Sequence, residues 1–192
     1  MREKEDLRVK RTKKMIRESF INLLYEKCYE KITIREIVEN AMINRNTFYL
    51  HYQDKADLLE QIYKIYIEEL TNSVNKLRLE EDLYHPDYSL ETDAVFNHLE
   101  KNIYIYRAFL KGKCPNFDKS LKEFVFEAIS REIKRQRLFD SNKLENLKVF
   151  TEYCASGYMG MLILWLDEDS NTSISDIKKT VNQIIGVLIK IV

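Results

Sequence analysis

Residues 33–55 read TIREIVENAMINRNTFYLHYQDK, a stretch without glycine or proline whose charged ends flank an aromatic centre. Thr33 is a favoured residue at the N-cap of a helix, and Glu36 follows it at the spacing of a capping box. Asn44 is a second good N-cap, eleven residues after the first. The stretch therefore predicts two short helices joined by a tight turn, which is the spacing of a helix-turn-helix. Their predicted bounds are Thr33–Asn40 and Arg45–Tyr52.

The composition favours an all-α protein. Of the 192 residues 45% are hydrophobic, but the four glycines and two prolines are too few for a β-rich chain with many turns. We predict a three-helix helix-turn-helix domain at residues 1–54 and a larger helical domain at residues 55–192. Apolar residues at helical spacing predict the other helices. Their expected bounds are Leu7–Glu26, Lys55–Glu80, Leu90–Leu110, Phe117–Leu138, Asn142–Leu166 and Ser173–Ile191.

Charge is distributed unevenly along the chain. The whole sequence is neutral, but residues 1–55 hold 13 Lys and Arg against 9 Asp and Glu, a net charge of +4. A basic front on an acidic remainder predicts a polyanion as partner, with the ordinary charge imbalance of a helical protein as the alternative. The basic residues of the first predicted helix are Arg8, Lys10, Arg11, Lys13, Lys14 and Arg17.

Several other function classes lack their sequence signatures. The cysteines Cys28, Cys114 and Cys154 are odd in number and widely spaced, which predicts reduced thiols in the cytoplasm. They and the three histidines show no metal-ligand spacing, so we expect no metal and no other cofactor. No nucleophile–base pair, glycine-rich phosphate loop or carboxylate pair indicates an enzyme. The longest apolar run, near residues 158–166, is too short to cross a membrane, and the charged N-terminus is unlike a signal peptide.

The second short helix begins with side chains suited to reading DNA. In a helix-turn-helix this helix lies in the major groove, and its first residues face base edges. Arg45 can bond guanine in bidentate fashion, and Asn46 can bond adenine in the same way. Thr47 can bond a base or touch a thymine methyl group. Phe48 is expected to turn back into the core.

Aromatic residues complete this helix. Tyr49, His51 and Tyr52 alternate around it, so some of them must face outward. A tyrosine hydroxyl suits a phosphate oxygen, and Lys55 adds charge at the start of the next helix. Two short capped helices with aromatic residues also occur in helical proteins that bind no DNA. Together with the basic first helix, however, this pattern favours a DNA-reading surface.

The extended stretch 33–59, TIREIVENAMINRNTFYLHYQDKADLL, resembles the DNA-binding signature of TetR/AcrR-type transcriptional regulators. Its most specific part is the Thr-Phe-Tyr triplet at 47–49 followed by Tyr52, Lys55, Leu58 and Leu59, and the resemblance covers about residues 8–65. It implies an N-terminal DNA-binding domain and a C-terminal domain for ligand binding and dimerisation. The implied DNA contacts are Thr33, Arg35, Arg45, Asn46, Thr47, Tyr49, His51, Tyr52 and Lys55.

The sequence departs from this family pattern at two positions. Met42 stands where the family has its turn glycine, and a left-handed backbone there would cost a non-glycine residue about 1 kcal/mol. The turn is therefore expected to be strained or reshaped. Asn44 replaces the usual serine cap, and it caps a helix equally well.

The rest of the chain resembles, more loosely, the C-terminal domain of a TetR-like group common in Gram-positive bacteria. The resemblance rests on HLEKNIYIYRAFL at 98–110 and YCASGYMGMLILWLDEDSNTSISDI at 153–177. The resemblance to the TetR family implies a homodimer in which the last two helices of each subunit form a four-helix bundle, and the alternative is a buried hairpin within one subunit. The expected interface residues are Ser156, Gly157, Gly160, Ile177, Val181, Ile184, Ile185 and Leu188.

An aromatic and methionine-rich set in the larger domain predicts a pocket for a small, largely apolar effector. Each of these residues, taken singly, is better explained as core filler, and it is the set as a whole that favours a pocket. His98, Tyr104, Tyr106 and Arg107 are expected to supply polar groups from one helix. The other expected pocket residues are Phe109, Phe124, Tyr158, Met161 and Trp165.

Two kinds of function remain open from the sequence. The first is a cytoplasmic, dimeric repressor that binds an inverted-repeat operator in double-stranded DNA and is released by the effector. The second is a helical adaptor that keeps this fold but acts through a protein partner. A gel-shift experiment on the DNA upstream of the gene separates the two.

Overall fold

The computed structural model describes residues 7–80, 89–135 and 144–191, and their regular structure is helical throughout, as predicted. A 3₁₀ turn, Tyr29–Lys31, follows the first helix. The α-helices are α1 Leu7–Glu26, α2 Ile34–Asn40, α3 Arg45–Tyr49, α4 Lys55–Glu80, α5 Ser89–Lys101, α6 Ile103–Lys111, α7 Phe117–Arg135, α8 Leu144–Leu166 and α9 Ile174–Ile191.

The chain divides into two compact units. The first comprises Met1–Tyr66 and Tyr104–Pro115, so it joins most of α6 to the N-terminal helices. The second comprises Ile67–Ile103 and Asn116–Val192. Within the first unit α2 packs on α1 and α3, and within the second α8 packs on α7 and α9, while α5 packs on α9.

The capping box predicted at the start of α2 is present. Thr33 Oγ1 accepts from the Glu36 amide at 3.3 Å, and Glu36 accepts in return from the Thr33 amide at 3.0 Å. Lys27 also donates to the Glu36 carboxylate. The Lys27 ammonium, followed by the two groups of Thr33, lowers the pKa of Glu36 to about 2. The start of α2 is thus fixed both by its cap and by the residue that follows α1.

The turn between α2 and α3 keeps a left-handed backbone without glycine. Met42 has a φ of 53°. The Ile43 amide donates to the Val38 carbonyl at 3.0 Å, and the Met42 amide donates to the Glu39 carbonyl at 3.1 Å. These two bonds form a Schellman motif, which usually places glycine at the Met42 position. The turn is therefore strained and not reshaped.

Met42→Gly is expected to raise the free energy of unfolding by about 0.5–1 kcal/mol, because relief of the left-handed strain exceeds the entropy that glycine adds to the unfolded chain. No packing is lost, since the Met42 side chain is 89% exposed. Chemical denaturation measures the effect. Met42→Ala keeps the Cβ atom and should change little; an equal gain from alanine would show that the backbone is not the cause.

One predicted helix is two in the structure. The sequence pattern predicted a single helix over Leu90–Leu110, but α5 ends at Lys101 and α6 begins at Ile103. At the break, the Asn102 side-chain amide donates to the His98 carbonyl at 3.0 Å, alongside the Asn102 main-chain amide at 3.1 Å. The side chain of Asn102 thus shares the carbonyl of His98 with the main-chain bond, a local contact that asparagine commonly makes.

The apolar part of helix α8 is longer than the run near residues 158–166 on which the sequence prediction relied. Its segment Leu147–Leu166 has a mean hydropathy of 1.2 and is long enough to cross a membrane by length and composition alone. The core helix of a soluble bundle meets the same criteria. Ala155, Met159 and Leu162 are buried, which fits the packing of α8 on α7 and α9.

Candidate nucleic-acid interface

Helix α3 presents a short row of polar side chains over an apolar anchor. Asn44 caps the helix, its Oδ1 accepting from the Asn46 amide at 2.8 Å. Phe48 is fully buried, as predicted, and contacts the rings of Tyr49 and Tyr52. Arg45 and Asn46 are exposed. The anchor fixes the orientation of the helix, so these two side chains point away from the core.

The other predicted contacts on α2 and α3 lie at or near the surface. Thr33 is exposed, but its hydroxyl is engaged in the cap of α2. Arg35 is also exposed, and its Nε donates to Glu39 at 2.7 Å, which raises the pKa of the Arg35 guanidinium. Thr47 and His51 are partly buried. All these positions belong to the first unit.

Tyr52 is a core residue and not a surface contact, contrary to the sequence prediction. Its side chain is 2% exposed, and burial raises the pKa of its hydroxyl, an effect opposed by the cations of Arg17 and Lys13. Its ring lies 5.6 Å from that of Phe48 and 6.5 Å from that of His51. The predicted placement of Tyr49, His51 and Tyr52 around one helix does not hold, because α3 ends at Tyr49.

Lys55 is tied to the interior of the first unit. Its Nζ donates to the carbonyl of Tyr29 at 2.7 Å and to that of Ile32 at 2.8 Å. The ammonium also lies 4.1 Å from the centre of the Tyr29 ring, and burial lowers its pKa. Two of the three ammonium donors are therefore engaged in joining the 3₁₀ turn to the start of α4.

The basic residues of α1 supply exposed positive charge. Arg8, Lys10, Arg11 and Lys14 are exposed, whereas Lys13 and Arg17 are partly buried. Lys14 forms an exposed ion pair with Glu18 at 3.7 Å, which salt screens readily. An exposed basic helix beside a capped helix-turn-helix suits a phosphate backbone.

Comparison with known proteins identifies this arrangement. A family model described as "Bacterial regulatory proteins, tetR family" matches residues 18–62, and one described as "Transcriptional regulator C-terminal region" matches residues 90–186. The chain belongs to the TetR family of transcriptional regulators. The two matches together include the helix-turn-helix and most of the C-terminal helices.

Individual relatives support this assignment. YxbF of Bacillus subtilis (strain 168), an uncharacterized HTH-type transcriptional regulator, is 39% identical over 176 residues, which are 89% of this chain and 44% of YxbF. DhaS of Lactococcus lactis, the transcriptional activator of the dhaKLM operon, is 34% identical over 61 residues, 32% of this chain and 33% of DhaS. The matched segments thus span less than half the length of these relatives.

Solved structures show the same fold. A TetR transcriptional regulator from Streptococcus agalactiae 2603V superposes with a TM-score of 0.69 at 21% identity, covering 93% of this chain and 95% of that one. The structure of DhaS superposes with a TM-score of 0.60 at 20% identity, with coverage of 93% and 94%.

The residues predicted to line an effector pocket fall in both units of this TetR-family chain. Tyr104, Tyr106, Arg107 and Phe109 lie on α6 in the first unit. Tyr106 and Phe109 are buried there against the ring of Tyr66, while Tyr104 stacks on Tyr25 with ring centres 4.2 Å apart. His98 lies on α5, so the polar groups expected from one helix come from two.

The remaining pocket residues lie in the second unit: His98, Phe124, Tyr158, Met161 and Trp165. Phe96, which the sequence prediction omitted, is buried there and contacts the rings of Tyr158 at 6.1 Å and Trp165 at 5.8 Å. The sequence did contain a signal for this residue, because Phe96 lies among the apolar residues of the predicted helix, two positions before His98. Burial, and then the charge of Lys101, lower the pKa of His98.

Some residues predicted for the dimer interface are exposed on α8. Ser156, Gly157 and Gly160 face solvent in the single chain, and a Cβ atom added at either glycine would meet nothing within 4 Å. Val149, Tyr153 and Leu164, which the sequence prediction did not include, are exposed on the same side of α8. Tyr153 is 73% exposed, so this side of the helix lacks apolar cover within the subunit.

On α9 the prediction was partly wrong. Ile177 is 4% and Val181 1% exposed, so both belong to the core of their own subunit. Between them, Lys178 donates to Asn97 at 3.2 Å and pairs with Asp93 at 2.9 Å, which turns this face toward α5. Ile184 is exposed, and so is Val187, which the prediction did not include. The side chains of the two other predicted residues, Ile185 and Leu188, lie outside the described residues.

Proposed function

We propose that the protein represses transcription in the cytoplasm by binding an inverted-repeat operator as a homodimer, and that a small effector releases it. The observation that carries this proposal is α3, where Arg45 and Asn46 are exposed above the buried Phe48. Such a helix can enter a major groove with its first side chains at the base edges. Residues 1–54 read the operator, and residues 55–192 bind the effector and dimerise.

In this proposal, different residues contact the bases and the phosphates. Arg45, Asn46 and Thr47 read base edges. Arg35 and His51, with the cations of α1, contact the backbone, and Arg35 exchanges its bond to Glu39 for a phosphate. Lys55 supports the interface from within, leaving its third ammonium donor for a phosphate.

The homodimer forms through the exposed side of α8 and the end of α9. Val149, Tyr153 and Leu164 supply apolar area on α8, and Ile184 and Val187 supply it on α9. Ser156, Gly157 and Gly160 allow a partner helix to approach closely. A two-fold axis through this surface matches the symmetry of an inverted repeat.

The effector is a small, largely apolar molecule that binds in the second unit. Phe96, Tyr158 and Trp165 form an aromatic cluster there. Mostly apolar walls are typical of a ligand site. The effector releases DNA only if it binds the free and DNA-bound states with different affinity. The protein performs no chemical reaction in this scheme.

Binding to the DNA upstream of the gene, measured by fluorescence anisotropy, tests the proposal. We expect affinity to fall at least tenfold between 50 and 200 mM salt, because bound cations release counterions from phosphates. Replacing Arg11 by glutamine should lower the slope of log affinity against log salt concentration by about 1, the value for one phosphate contact, and leave base preference unchanged.

Two results would contradict this reading. An affinity that hardly changes with salt would show that the protein does not contact phosphates as proposed. Failure to bind any duplex specifically, combined with capture of a defined protein partner, would favour the adaptor instead.

A further inference from the structure

Arg45 and Tyr49 form a side-chain pair on the exposed face of α3. They lie one helical turn apart, where side chains of a helix meet. Arg45 Nη2 donates to the Tyr49 hydroxyl at 3.2 Å, and the guanidinium carbon lies 5.6 Å from the centre of the Tyr49 ring. The arginine therefore has a preferred orientation before any partner binds.

The tyrosine is itself held in place. Its ring meets the ring of Phe48 edge-on, with centres 5.5 Å apart and planes at 88°. Phe48 is fully buried, so the contact connects the exposed pair to the core of the first unit. A fixed ring with a hydroxyl at its outer end restricts the long Arg45 side chain, which would otherwise lose rotamer entropy on binding.

The pair leaves Arg45 able to read a base. A guanidinium has five N–H donors, and the bond to Tyr49 uses one of them. Arg35 on α2 shows the contrasting case, because the carboxylate of Glu39 holds it at 2.7 Å and offsets its charge. A neutral hydroxyl orients Arg45 without neutralising it.

We propose that Tyr49 is a positioning residue that sets the orientation of Arg45 and thereby determines base preference at one operator position. This inference rests on the proposed DNA-binding function. It assigns Tyr49 a role through Arg45, in contrast to an independent contact with phosphate, and the two roles predict different results. A positioning residue changes preference at one base pair, whereas a phosphate contact changes affinity for every duplex.

The test begins with duplexes that the wild-type protein selects from a randomised pool. Affinity is then measured for the selected duplex and its single-base variants, using wild type, Tyr49→Phe, Arg45→Ala and the double variant. Tyr49→Phe keeps the ring and removes only the hydroxyl, so thermal unfolding should match wild type. We expect it to reduce the preference at the Arg45-dependent base pair about fivefold, the loss expected from one hydrogen bond.

The double variant decides between the two roles. In the Arg45→Ala background, Tyr49→Phe should have no further effect on base preference, and it should leave the salt dependence unchanged. An equal loss for all duplexes, an undiminished effect without Arg45, or an Arg45→Ala protein with wild-type preference would each overturn the inference. A wild-type protein that selects no duplex would instead refute the proposed function on which the inference rests.

Discussion

Gly160→Leu is expected to lower the affinity for an inverted-repeat operator on the order of 100-fold, because a monomer loses the effective concentration that links two half-sites. In the single chain a Cβ atom at Gly160 meets nothing within 4 Å. The leucine therefore fits within the subunit, and it obstructs only a partner helix that approaches the exposed side of α8. Light scattering should show the loss of the dimer directly.

Gly160→Ala is the matched control. Alanine also replaces the glycine, and it favours a helix by about 1 kcal/mol, but it adds only one methyl group. We expect this variant to remain dimeric with near wild-type affinity for the operator. A leucine variant that stays dimeric and binds fully would place the interface elsewhere, whereas loss of its helical circular dichroism would indicate misfolding of the subunit.

Local signals in the sequence were sufficient to predict the elements that carry the interface. The bounds of α1 and α4 agree with the prediction, and the caps at Thr33 and Asn44 are both present. Capping depends on residues three or fewer positions apart, so the sequence alone contains the necessary information. The same holds for the burial of Phe48, which follows from the apolar face of a short helix.

Local signals could predict that an apolar residue is buried, but not which helix covers it. The pattern on α9 showed that Ile177 and Val181 must be covered, but it did not distinguish α5 of the same subunit from a second copy. Tyr52 posed the same problem, since its burial depends on where α3 ends and on the packing around it.

The sequence predicted which residues of the candidate site are exposed more accurately than it predicted the contacts that they make. Arg45 and Asn46 are exposed as expected. Lys55, however, donates to two carbonyls that precede it by 26 and 23 residues. No local pattern marks such long-range hydrogen bonds, because they depend on how the 3₁₀ turn folds back onto α4.

A residue far along the chain, Gly112, is also part of the first unit, which contains the helix-turn-helix. Gly112 follows α6, and its carbonyl accepts from the Tyr29 amide at 2.7 Å. The Tyr29 carbonyl in turn accepts from Lys55. Gly112 therefore takes part in a chain of hydrogen bonds that fixes the 3₁₀ turn between α1 and α2 and the start of α4.

Gly112→Val is expected to lower the free energy of unfolding by about 3 kcal/mol, the upper range for overpacking a core. A Cβ atom at this position would lie 2.6 Å from Leu24 Cδ2 and 3.1 Å from Leu24 Cβ. Leu24 is fully buried on α1, so it has little room to move. Chemical denaturation at fixed protein concentration measures the loss, and operator affinity should fall with it, because the substituted contact lies within the first unit, which also contains α3.

The neighbouring Lys113 provides the control for this effect. It is exposed and has a φ of 49°, so Lys113→Gly relieves left-handed strain without touching Leu24. That variant should gain up to about 1 kcal/mol of stability while Gly112→Val loses several times as much. If valine at 112 left both stability and operator affinity unchanged, α6 would not pack on α1 closely enough to support the DNA-reading helices.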